Sequence, residues 1–127
     1  MSYLSVQQVL FPQHRLIAET GGAHGLRDPG LLESAVARPR ASYAGCELYP
    51  DLFAKTAALL DSLIRNHPFL DGNKRTGVAA ASLFLRRNGW RLALSNEALE
   101  ALALRVATSA PCLDEIAAFL RQHSKRN

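Results

Sequence analysis

Aromatic residues make up only 7% of this 127-residue chain, and they do not interleave with its basic ones. That pattern speaks against the stacking platforms on which single-stranded nucleic acids are held. Long apolar runs are missing too, and none reaches the roughly 20 residues that a membrane-spanning helix requires. The N-terminal residues Met1-Ser2-Tyr3-Leu4 lack the charged and then apolar segments of a secretion signal. A cytoplasmic location without membrane contact is the expectation that follows. Cysteine is scarce, with Cys46 and Cys112 alone. Their spacing suits neither a metal site nor a disulfide framework, so reduced thiols are expected. No repeat or low-complexity linker interrupts the chain, whose length suits one domain over residues 1–127.

What is present in excess is positive charge. Fifteen Lys and Arg stand against 11 Asp and Glu, a net charge of +4. Much of the cationic surface is expected from Arg38, Arg40, Lys74, Arg75, Arg86, Arg87, Arg91, Lys125 and Arg126. Phosphate neutralisation on a nucleic acid is one reading. A solvated face plus a site for a single polyphosphate is the other, and the lack of aromatics among the cations favours it. A nucleic-acid partner is therefore not expected.

Local signals describe a mostly helical chain. Ser5 caps a first helix, which Pro12 is expected to break or kink before Arg15–Glu19. Gly21-Gly22 ends that unit. Asp28-Pro29 starts a second helix that stops before Arg38-Pro39. Residues 39–50 read as a loop or short hairpin. Asp51 caps a third helix, with Leu52, Phe53, Leu59, Leu60, Leu63 and Ile64 on one broad face. The segment Thr76–Leu85 is apolar nearly all round, which predicts a central buried helix in which Gly77 permits close packing. Arg86-Arg87-Asn88-Gly89 closes it. Trp90, Leu92 and Leu94 alternate as in a short strand. Ser95 opens a helix expected to run through Leu104, and a last one carries Leu113, Ile116 and Leu120 to near His123. The expected architecture is all-α: six or seven helices around one buried helix. His14, His24 and His123 have no partners at ligand spacing and read as surface or capping residues.

Between the third and fourth helices runs His67-Pro68-Phe69-Leu70-Asp71-Gly72-Asn73-Lys74-Arg75. A polar loop that opens into a helix N-terminus is a ready anion site, because the first-turn amides are unpaired and the dipole favours negative charge. Cations normally oppose the dipole at that end, so Lys74 and Arg75 make sense if a polyanion occupies the site. His67 would take a proton from an incoming hydroxyl. Alone it would read as a helix C-cap, and Asp71 would read as an N-cap. Beside the amide and two cations these readings no longer exhaust the pattern. Pro68 and Phe69 look structural, with Leu70 a second candidate anchor.

This run resembles the signature of the Fic/Doc (Fido) superfamily. Lys74, where most Fic enzymes carry glycine, is similar to the Doc subgroup, the "death on curing" toxins. Gly25-Leu26-Arg27-Asp28-Pro29-Gly30-Leu31-Leu32 and Ser82-Leu83-Phe84-Leu85-Arg86-Arg87-Asn88-Gly89 resemble Doc segments as well. Gly72 departs from Doc, which has alanine there, and matches the general Fic pattern. The resemblance implies a compact helical bundle with a flap over residues 39–50 that positions the target. It makes His67 the general base and Asp71 the ligand of Mg²⁺, with Gly72, Asn73, Lys74 and Arg75 binding the phosphates of ATP. It implies phosphate transfer to a protein hydroxyl, by analogy a threonine of elongation factor Tu, with arrest of translation. Fic-type AMP transfer is the alternative, and a non-catalytic basic toxin on ribosome or RNA is a second. Inhibitory helices of Fic enzymes carry Ser or Thr four residues before a Glu, and no position here fits. Restraint by an antitoxin resembling Phd is the corresponding expectation.

Overall fold

The computed structural model describes residues 1–22 and 25–127, without the side chains of Leu16 and Thr20. His24, read above as a surface or capping residue, lies outside these. Among the described residues there are six α-helices and two small two-stranded sheets, the all-α class expected. No helix among them is long and apolar enough to cross a membrane.

Helix α1 spans Val6–Thr20 behind a capping box of Ser5 and Gln8. It continues through Pro12, so of the expected break or kink the break does not occur. An interior proline costs about 3 kcal/mol in an isolated helix. Here Val9, Gln13 and Ile17, on both sides of it, are buried, and that packing outweighs the lost bond. Gly21 then ends the helix at φ 77°. Helix α2 (Pro29–Ala37) starts at Asp28 as expected, and a 3₁₀ turn follows over Arg38–Arg40.

The flap is a hairpin of β1 (Ser42–Tyr43) and β2 (Cys46–Glu47), joined by Ala44 and Gly45. Both turn residues have positive φ, 52° and 80°, as a two-residue hairpin turn demands. The strands are exposed, but their base is pinned. Lys55, only 2% exposed, donates Nζ to Glu47 Oε1 at 2.9 Å and to the Pro39 carbonyl at 3.1 Å. Arg38, expected on the surface, is half-buried and donates to Tyr49 Oη, Asp61 Oδ2 and Ser62 Oγ. Burial opposes its charge, yet its hydrogen bonds to Tyr49 and Asp61 and their attraction outweigh this, and its pKa is raised.

Helices α3 (Leu52–Arg65) and α4 (Asn73–Arg87) form the centre. One apolar cluster joins Ala57, Leu60 and Ile64 of α3 and Leu85 of α4 to α5 (Asn96–Ser109) and α6 (Leu113–Gln122). The other joins Leu59 and Leu63 of α3 and Phe84 of α4 to Val9, Leu32 and Phe69. Because it faces both clusters, α3 is buried from Thr56 through Ile64. It, rather than α4, is the most enclosed helix. The apolar side chains of α4 had pointed the other way, but much of its apolar surface is alanine, and Ala79 faces solvent.

Gly77 sets the spacing between the two helices, since a Cβ there would lie 2.8 Å from Ile64 Cγ1. Gly77→Ala is expected to cost about 1–3 kcal/mol through overpacking, more than the roughly 1 kcal/mol that alanine gains in helix propensity. Urea unfolding measures the balance, and parental stability would mean that the helices part freely.

Beyond α4, β3 (Trp90–Leu92) appears where alternation predicts it, but it pairs with β4 (Ser124–Arg126), which no alternation announces. Helix α5 also runs five residues past the expected Leu104. His123 caps α6, as expected, and its ring lies 4.4 Å from that of Phe119.

Candidate active site

The loop that leaves α3 is bent sharply and gripped from outside. His67 has a φ of 49°, a conformation that a non-glycine residue adopts at a cost of about 1–3 kcal/mol. The following proline makes this less favourable still, since it biases the residue before it toward extended backbone. Arg27 holds the bend, donating Nε to the His67 carbonyl at 2.6 Å and Nη2 to that of Asn66 at 2.7 Å. The amides of Arg27 and Asp28 both reach the Pro68 carbonyl. Phe69, 1% exposed, pairs with Leu26 and anchors the loop in the core as expected. Leu70 does not anchor it, being 55% exposed at the cleft.

No local signal in the sequence marks Arg27 for this contact, since its partners lie about forty positions further on. Its removal should free both carbonyls. Arg27→Ala is expected to cost about 1–2 kcal/mol in stability. On the reading of His67 as the general base, any transfer it promotes should slow about 10²-fold through its misplacement. A melt and a single-turnover assay report the two effects separately.

Helix α4 begins at Gly72, which is its N-cap at φ 76° and makes no side-chain cap. Asp71, read as an N-cap, is not one. Its Oδ1 accepts the amide of Gly72 at 2.8 Å, one residue short of the helix. The chain reaches the helix through a left-handed glycine, which turns the Asp71 side chain away from the first-turn amides. The first helical hydrogen bond runs from the Thr76 amide to the Gly72 carbonyl, and the first turn holds no acid. Asn73 also differs from expectation. Its Oδ1 accepts the Phe69 amide and its Nδ2 donates to the Phe69 carbonyl, both at 3.0 Å. The side chain thus staples the loop, and both of its polar atoms are engaged there rather than in the cleft.

Lys74 and Arg75 are exposed, and every ion pair of the described residues lies elsewhere. The structure brings His67, Asp71, Gly72, Asn73, Lys74 and Arg75 onto one cleft of about 570 Å³. Its other wall comes from Leu70 and from Ile17, Gly21 and Gly22 at the end of α1. One exposed carboxylate shares this cleft with two unpaired cations, an open helix N-terminus and an exposed imidazole. Among the described residues no three His, Cys, Asp or Glu cluster as a metal cage. A lone carboxylate suits Mg²⁺, which keeps waters and is shared with substrate phosphates.

Sequence reasoning missed the contribution of α1. Gln13 is fully buried and donates Nε2 to the Asp71 carbonyl at 3.3 Å. A polar residue on the stripe of Val9 and Ile17 was the available signal. Comparison with known proteins agrees with the geometry. Residues 3–85 match the model of the Fic/DOC family. The chain is similar to Toxin Doc of Mycolicibacterium smegmatis, 52% identical over 102 residues, covering 79% of this chain and 78% of that protein. It is also similar to Protein kinase doc of Escherichia phage P1, 36% identical over 122 residues, covering 96% and 95% of the two chains. A bent loop feeding an uncapped helix N-terminus, a family match that spans it and these two relatives agree, and the chain belongs to the Fic/DOC family.

Proposed function

We propose that this protein is the toxin of a toxin–antitoxin module, a transferase that moves the γ-phosphate of ATP to a hydroxyl of a protein target. The observation that carries the reading is the pairing of an exposed histidine with two unpaired cations at an uncapped helix N-terminus in one cleft. His67 accepts the proton of the target hydroxyl as its oxygen bonds to the γ-phosphorus. The bond from that phosphorus to the β–γ bridging oxygen breaks, and ADP leaves. Lys74, Arg75 and the backbone amides of the first turn of α4 hold the phosphate oxygens and neutralise charge that develops on them. Asp71 would hold Mg²⁺, which when bound supplies further neutralisation at the phosphates.

The name of the phage P1 relative, a protein kinase, supports phosphate transfer. Gly72, which fits the general Fic pattern, favours AMP transfer as the second reading. A threonine of elongation factor Tu is the target that the resemblance suggests. An antitoxin resembling Phd is the proposed restraint, and the groove of about 370 Å³ beside Arg75, lined by Phe11, Pro12 and Ala79, would receive it. Purified protein, cell extract and ATP labelled at either the α or the γ position test the chemistry. Label carried only from the γ position is expected. Transfer only from the α position would replace the kinase reading by AMP transfer, and transfer of neither would leave a non-catalytic toxin.

A further inference from the structure

The carboxylate of Asp71 meets a neighbour at each oxygen, and only one of the two belongs to the motif. Oδ1 accepts the Gly72 amide. Oδ2 faces Gly22, just past the end of α1, where a Cβ would overlap Oδ2 and sit 3.2 Å from Asp71 Cγ. The two adjacent glycines therefore differ in kind. Gly21 is needed for its left-handed backbone and has open space around it. Gly22 is not in the left-handed region, so any residue could adopt its backbone. Its contribution is the volume that a side chain would fill, and the Asp71 carboxylate occupies it.

The main chain of Asp71 is held from the same helix. Gln13, fully buried, donates to the Asp71 carbonyl, while its own Oε1 has no partner among the described residues. Burying an amide with an unmet acceptor carries a desolvation cost that an apolar side chain would avoid. Gln13 sits in the core at that cost and reaches out of it to a single residue of the cleft.

We propose that Gln13 and Gly22 are positioning residues for the Asp71 carboxylate, Gln13 by holding its main chain and Gly22 by leaving room for its Oδ2. The proposal rests on the reading of Asp71 as the ligand of a divalent cation at the nucleotide. Asp71 is an exposed side chain, so a methyl group at position 22 would turn its carboxylate aside; its other close neighbour, Ile17 Cδ1 at 3.2 Å, need give only a few tenths of an ångström. The fold would survive and the metal site would not.

The experiment uses Mn²⁺ in place of Mg²⁺, titrated into ATP-bound protein, with free Mn²⁺ read by its electron paramagnetic resonance signal. Melting temperature and ATP affinity in EDTA are measured alongside. Asp71→Asn should weaken Mn²⁺ binding, and this arm alone reports on the reading of Asp71. Gly22→Ala should weaken it about 10- to 100-fold, with melting temperature and metal-free ATP affinity unchanged. Added to Asp71→Asn, Gly22→Ala should cause no further loss, because both act on one carboxylate. Gln13→Met, which keeps length and apolar packing, should weaken Mn²⁺ binding to a smaller degree. Parental Mn²⁺ affinity in Gly22→Ala, with Asp71→Asn impaired, overturns the proposal. If Gly22→Ala does not fold, unchanged affinity in Gln13→Met overturns it instead. Unchanged affinity in Asp71→Asn removes the metal reading and the proposal together.

Discussion

His67→Ala should lower phosphate transfer by about 10²–10⁴-fold, the usual contribution of a general base, and should abolish toxicity with it. The fold should not change. The His67 side chain is exposed and makes no hydrogen bond among the described residues, whereas the bend around it is held by the Arg27 side chain and the amides of Arg27 and Asp28. Its loss is therefore expected within about 0.5 kcal/mol of the parent's stability, as for an ordinary surface substitution. Growth after induced expression, transfer of labelled phosphate and thermal melting together decide the matter. A stable variant that still arrests growth would assign the toxicity to binding by the basic surface, the non-catalytic alternative.

Lys74→Gly carries the second large effect. Lys74 is exposed in the cleft, at the second residue of α4, and no ion pair of the described residues engages it. Removing one charge from a site that stabilises phosphate oxygens typically costs about 10²–10³-fold in rate. γ-Phosphate transfer should fall by that amount. Glycine also leaves room for a phosphate where the lysine side chain stood, so some transfer from α-labelled ATP should emerge. A variant that keeps full γ-phosphate transfer would show that Lys74 neither holds the phosphates nor sets the direction of the nucleotide. Arg75, in the same first turn, would then carry the phosphate alone.

The helix boundaries were legible because their signals are local. Ser5, Asp28, Asp51 and Ser95 each cap the helix expected to follow them, through a side chain that bonds an amide three residues on. The cleft residues were legible for the same reason, since a stretch from His67 to Arg75 must stay together in space wherever the chain goes. Misreadings arose where distant packing decides. Pro12 sits inside α1 because both of its flanks are buried, and Arg38 is drawn partly into the fold by Asp61 and Ser62. The most enclosed helix is α3 because it faces two clusters, one of them built by helices at the far end of the chain.

By itself the sequence determined the helical class, the helix starts and which residues of one loop share the cleft, because each depends on neighbours within one or two turns. Tertiary structure alone decided how those residues are aimed. Gly72, not Asp71, holds the N-cap position of α4 and leaves its first amides without a side-chain cap; Asn73 turns inward to Phe69; and Arg27, forty positions before His67, holds the strained bend. Gly21 and Gly22 look alike as letters, yet one is needed for its backbone and the other for the space it leaves to a carboxylate 49 positions further on. That distinction has no local cause. It comes from two segments that meet only after α1, α3 and α4 have packed.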